Sequence, residues 1–77
     1  MKTYLLTFHT HFEALQAFKA AQKMPKAENA TLVAVPRKIS SSCGTALSVR
    51  FSDPSELSKF VYNEAYECAG DEEFLKV

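Results

Sequence analysis

Asp53-Pro54-Ser55-Glu56-Leu57 is the stretch that decides the fold, because the second half of the chain declares its secondary structure there. Aspartate is a favoured N-cap, proline suits the first helical position, and Glu56, three residues after Asp53, completes a capping box. Downstream, Leu57, Val61, Ala65 and Cys68 recur at helical spacing with Phe60 beside them, and Gly70 is placed to end the helix in a left-handed conformation. The spacing predicts a second helix between Asp53 and Gly70. Asp71-Glu72-Glu73 reads as a solvated turn, and Glu73-Phe74-Leu75-Lys76-Val77 supplies a short final strand.

Upstream of that stretch, Leu47, Val49 and Phe51 alternate with Ser48 and Arg50, the period of a strand with one buried face. At the start of the chain, Thr3-Tyr4-Leu5-Leu6-Thr7-Phe8 is rich in β-branched and aromatic residues and forms a first strand. Thr10 and Glu13 match a capping box, and Ala14, Leu15, Phe18 and Ala21 follow at helical spacing, so a helix runs from about His11 to Met24 and stops at Pro25. Ala30-Thr31-Leu32-Val33-Ala34-Val35 is apolar enough for a second strand, ended by Pro36. The order is βαββαβ. It predicts an α+β, ferredoxin-like split βαβ domain: a four-stranded antiparallel sheet with two helices on one face. In that arrangement the third strand lies between the first and second, which brings His9, Thr10 and His11 close to the loop that precedes the third strand.

The chain has 77 residues, enough for a single domain over 1–77 with one core. Acidic and basic side chains balance at nine each, so no net field recruits nucleic acid or an anionic membrane. No apolar run approaches the ~20 residues of a membrane span, and Met1-Lys2-Thr3-Tyr4 leads into a strand instead of a signal peptide. A cytoplasmic location is expected. In a reducing compartment Cys43 and Cys68 are expected to stay unpaired, with Cys68 on an apolar stripe as a small hydrophobe.

Cys43 is different in kind. It lies in Pro36-Arg37-Lys38-Ile39-Ser40-Ser41-Ser42-Cys43-Gly44, behind three serines and before a glycine, with two cations a few residues upstream. That is the setting of a partly exposed thiol near positive charge. A free thiol with pKa near ~8.5 is only slightly ionised at neutral pH, and bringing it to half ionisation takes roughly 2 kcal/mol of preferential stabilisation of the anion. A helix N-terminus supplies about 0.3–1 kcal/mol, and Arg37, Lys38 or an imidazole such as His9 can supply the rest. Read blandly, the same residues are an ordinary Ser/Gly turn, with Arg37 and Lys38 solvated and His11 an exposed first-turn residue. Zinc on His9, His11 and Cys43 lacks a fourth ligand unless Cys68 leaves its stripe, so no metal is expected. Tyr62 and Tyr66, four apart, fall to the side of the second helix. No Gly-rich phosphate loop, paired-carboxylate motif or Cys-x-x-Cys dithiol is present, and no cofactor is expected.

Pro36-Arg37, Ile39-Ser40-Ser41, Cys43-Gly44 and Ala46-Leu47 resemble the P-R-x-I-S-S-x-C-G-x-A-L signature of a family of small proposed selenium/sulfur carrier proteins. The resemblance implies a ferredoxin-like domain whose loop cysteine, Cys43, holds sulfur or selenium as a persulfide or selenosulfide. Arg37, Ser40, Ser41 and Gly44 then shape the loop. It further implies a cysteine desulfurase-like donor, an acceptor protein, and a carrier instead of a self-contained enzyme. Many members carry an arginine directly after the Ala-Leu pair, where this chain has Ser48, with Arg50 two residues on. The alternative is a binding or redox-regulatory module that docks partners on the sheet without carrying sulfur. An edge strand leaves homodimerisation by sheet extension open.

Overall fold

The computed structural model describes residues 2–37, 39, 44–70 and 73–77. Strand β1 (Lys2–Thr7) leads into helix α1 (His11–Lys23), strand β2 (Glu28–Ala34) and strand β3 (Thr45–Phe51). These are the elements the sequence predicts for the first two thirds of the chain. α1 begins on the expected capping box: the Glu13 amide donates to the Thr10 hydroxyl at 3.2 Å and the Thr10 amide to the Glu13 carboxylate at 3.1 Å. Helix α1 faces the sheet with Ala14, Ala17 and Ala21, small residues that let its axis lie close to the strands.

The second half departs from expectation. A 3-10 helix, Pro54–Lys59, replaces the long second helix, and the residues after it form strands β4 (Glu64–Gly70) and β5 (Glu73–Lys76). The start signal is real, since the Asp53 carboxylate accepts from the Ser55 amide at 3.0 Å. What fails is the continuation. At three residues per turn, Leu57 and Phe60 both reach the core, and the Phe60 amide closes the turn on the Leu57 carbonyl at 3.1 Å. Val61, assigned to an inner stripe, is instead 80% exposed. Glu64–Gly70 is drawn into the sheet because β1 would otherwise have an unpaired edge, and it pairs Thr7 with Glu64, Leu6 with Ala65, Leu5 with Tyr66 and Tyr4 with Glu67. Gly70 therefore closes a strand and not a helix, and Tyr66 lies on that strand instead of beside Tyr62 on a helix. The final strand forms where expected but as a fifth strand outside β4.

The result is an α+β fold with an antiparallel five-stranded sheet in the order β2-β3-β1-β4-β5. As expected, β3 lies between β1 and β2 and runs antiparallel to both. Alternation along β1 sorts the core into two faces. Tyr4, Leu6 and Phe8 point to the α1 side, with Leu47, Val49, Phe51, Leu57 and Phe60. Leu5 points to the other side, where it meets Ala46 and Ile39 and is flanked by Val33, Tyr66 and Phe74. Edge strand β2 is interrupted between Glu28 and Thr31, at Asn29 with φ 53°, an irregularity that blunts the edge. Among the described residues, no helix is long and apolar enough to cross a membrane.

Candidate functional site

One end of the sheet gathers the end of β1, the start of β3 and the start of α1. Thr7, fully buried, closes β1 there: its hydroxyl accepts from the Glu64 amide at 3.1 Å and its carbonyl from the Asn63 amide at 2.7 Å. The last β1–β3 pair is Thr7 with Ala46. One residue further out stands Thr45, in the same alternating row as Leu47, Val49 and Phe51, which face α1. The chain leaves β1 through Phe8, His9 and Thr10 and enters α1 directly over this position. The His11 ring then meets Thr45, with Nδ1 3.1 Å from the hydroxyl oxygen.

The base of the loop between β2 and β3 is fixed from both sides. The Val35 amide donates to the Gly44 carbonyl at 3.1 Å, extending the β2–β3 ladder by one bond beyond Ala34 and Thr45. The Ile39 amide donates to the Pro36 carbonyl at 3.0 Å, a tight turn that carries the Ile39 side chain back into the cluster of Leu5 and Ala46. Ile39 is only 6% exposed. Its apolar side chain thus anchors an otherwise polar loop to the sheet face opposite α1.

Of the residues singled out from sequence, His9, Arg37 and Gly44 are exposed at this end. Among the described residues Arg37 makes no ion pair. Gly44 has no positive φ, and a Cβ built on it would meet no atom within 4 Å. Ser40, Ser41 and Cys43 lie outside the described residues, as do Lys38 and Ser42. Among the described residues no group of three or more His, Cys, Asp or Glu side chains gathers. His11, expected as an exposed first-turn side chain, stands exposed at the first position of α1 and contacts Thr45. The strand order, with β3 beside β1, places Thr45 beneath the first turn of α1.

The other thiol is in a different place. Cys68 is half-buried on β4, beside Phe74 and next to Glu67, which pairs with Tyr4 near the start of β1. Burial pushes its thiol up, and the Glu67 charge adds to the effect. Arg50 is likewise remote: it stands opposite Thr3 and Glu28, at the end of β3 away from the loop. A groove of about 420 Å³ opens at that far end among Lys2, Tyr4, Glu67, Leu75 and Lys76, and the Lys2–Glu67 ion pair at 2.8 Å spans it.

The model of the family described as "Putative Se/S carrier protein-like" matches residues 3–70. The chain belongs to that family. The match runs from the second residue of β1 to the last of β4, so the loop, the α1 corner and the 3-10 helix all fall within the Se/S carrier-like span, while β5 lies beyond it. Neither a curated protein nor a solved structure matches the chain. Within this Se/S carrier-like chain, Thr45, which meets the His11 ring, lies two residues after the loop cysteine in sequence.

Proposed function

We propose that the protein is a carrier of sulfur or selenium and that Cys43 is the attachment point. The observation that carries this reading is the family match over residues 3–70, which includes the whole Pro36–Gly44 loop. Support comes from the setting at both ends of the loop: Arg37 exposed at one, Gly44 exposed at the other, and the N-terminus of α1 beside Thr45. Free amides and the positive dipole end of a helix favour an anion such as a thiolate. Arg37 adds a permanent positive charge.

The transfer is an exchange of sulfane sulfur between thiols. The Cys43 thiolate attacks the terminal sulfur of a persulfide on a donor enzyme of the cysteine desulfurase type. A new S–S bond forms on Cys43 as the donor's S–S bond breaks, and the donor leaves as a thiolate. No net oxidant is consumed, because the sulfur arrives already at the sulfane level. Delivery to the acceptor repeats the displacement with the roles reversed, and selenium follows the same scheme as a selenosulfide. Ser40, Ser41 and Gly44 shape the loop around the adduct, and His9 is a neighbouring proton acceptor. A reducing cytoplasm keeps the empty carrier in its thiol form.

The test is mass spectrometry of the intact protein after incubation with a cysteine desulfurase and cysteine. One added sulfur atom on the Cys43 peptide, lost in Cys43→Ala, is the expected result. An unmodified peptide, or equal loading of the variant, removes the carrier reading.

A further inference from the structure

We infer that two copies of this chain pair through the outer edge of β5, as a two-fold dimer in a register centred on Leu75. The inference goes beyond the carrier reading and uses none of the loop residues.

The hydrogen bonds of β5 set the register. The Val77 amide donates to the Ala65 carbonyl at 2.9 Å, so Val77 turns its peptide groups toward β4. Alternation along an antiparallel strand turns those of Leu75, opposite Glu67, the same way, and those of Phe74 and Lys76 outward. Among the described residues nothing pairs with that outer edge. Such an edge is a template for another strand. A second β5, antiparallel about a two-fold axis at Leu75, sets Phe74 opposite Lys76 of the second copy and Lys76 opposite its Phe74. Each of these pairs exchanges both of its bonds, and every outward amide and carbonyl of Phe74 and Lys76 is used.

The side chains fit the same pairing. Leu75 pairs with Glu67, which pairs with Tyr4, so Leu75 and Val77 share the α1 side of the sheet. They are nevertheless 56% and 62% exposed, because α1 packs over β2 and β3, on the other flank. In the dimer Leu75 meets its own copy, with Val77 diagonal to that contact. Glu73 and Lys76 never face their own copies in this register, whereas parallel pairing would set like charge against like. An edge lysine usually opposes pairing. Lys76 is instead drawn to Glu64 on the neighbouring β4, 2.6 Å away.

The opposite margin of the sheet argues for a second copy and for closure at two. β2 is interrupted between Glu28 and Thr31, with Asn29 at φ 53°, while β5 is regular from Phe74 to Lys76. A head-to-tail contact of β5 on β2 would extend without end. Pairing β5 with β5 uses the regular edge of each copy and stops there.

The experiment is sedimentation equilibrium of the full chain, with a reductant present, joined to amide exchange followed by NMR. One short strand pair is a small interface, so the range is about 10 µM to 1 mM. The wild-type mass is expected to rise toward that of a dimer. In dilute protein the Phe74 and Lys76 amides are expected to exchange faster than those of Leu75 and Val77, and in concentrated protein to gain protection. Leu75→Glu sets two carboxylates against each other across the axis and is expected to raise the dissociation constant about tenfold or more. Lys76→Pro, which deletes an outward amide, is expected to act in the same direction. Thr31→Glu, on the β2 margin, is expected to leave the constant at its wild-type value. Urea midpoints confirm that each variant is folded. A wild-type monomer throughout the range would overturn the inference. So would a dimer indifferent to both β5 variants, or one dispersed by Thr31→Glu. A monomer that loads sulfur sinks this inference alone, and a β5 dimer that loads none sinks only the carrier reading.

Discussion

The Val35 amide donates to the Gly44 carbonyl at 3.1 Å, so the loop that carries Cys43 leaves and rejoins the sheet across a single hydrogen bond. The loop therefore has a rigid base whatever its tip does.

Gly44 holds its place without any conformational requirement for glycine. Its φ is not positive and an added Cβ meets nothing within 4 Å. Gly44→Ala is accordingly expected to leave the fold unharmed and to raise its stability by about 0.4–1 kcal/mol through the unfolded chain. Urea denaturation checks this. If sulfur loading falls while stability holds, the glycine serves the approach of a partner's thiol. A loss of stability above about 1 kcal/mol would mean that the backbone here needs glycine after all.

Ile39 is the apolar anchor of the loop, 6% exposed against Leu5 and Ala46. Truncation leaves a cavity under the loop, so Ile39→Ala is expected to cost about 2–4 kcal/mol and Ile39→Val about 0.5–1.5 kcal/mol. A graded loss in thermal or urea midpoints supports the anchoring role. Indifference of both variants would place Ile39 outside the core.

The first half of this fold was legible because its signals are local and agree with one another. The Thr10–Glu13 box, the alternation of Leu47, Val49 and Phe51, and Pro25 as a stop each name one element, and β3 falls between β1 and β2 as the split βαβ pattern requires. The second half was not legible because Glu64-Ala65-Tyr66-Glu67-Cys68 has helical propensity and helical spacing while its strand state is decided elsewhere. The pairing partner is β1, some sixty positions earlier, and no local pattern carries that information. At the site, the convergence of β1, β3 and α1 followed from the topology. The contact between His11 and Thr45 did not, since it depends on one residue of β3 lying under the helix start.

Acid is expected to destabilise the protein through two surface carboxylates. The hydrogen bond from Lys76 and then that from Tyr66 hold Glu64 below its ordinary range, and the Ser55 amide does the same for Asp53. A carboxyl with a depressed folded pKa contributes stability above its unfolded value, near ~4, and that contribution disappears as pH falls through the folded value. Urea midpoints should therefore drop below about pH 4, and less so in a Glu64→Gln, Asp53→Asn double variant, whose asparagine still caps. The same Glu64–Lys76 pair, 2.6 Å apart, acts at the alkaline end. Glu64 raises the Lys76 pKa, so this contribution is present below the usual lysine range and fades as pH climbs through the raised value. An acid limb unchanged in the double variant would locate the sensitivity elsewhere.

Burial raises the thiol pKa of Cys68, which lies half-covered on β4. In the native protein at neutral pH its alkylation is expected to be slow, and in denaturant fast, with peptide mapping separating it from Cys43. Equal native rates at the two cysteines would remove the distinction between a packing thiol and a reactive one.

Strand β1 occupies the middle of the sheet, with β3 and β2 on one flank and β4 and β5 on the other. Its amides should be among the slowest to exchange with deuterium, while β2 and β5 at the margins open first. The corner built on the end of β1 therefore belongs to the most persistent part of the molecule. Successive rounds of cargo uptake and hand-over would then take place on a platform that keeps its shape while the periphery breathes.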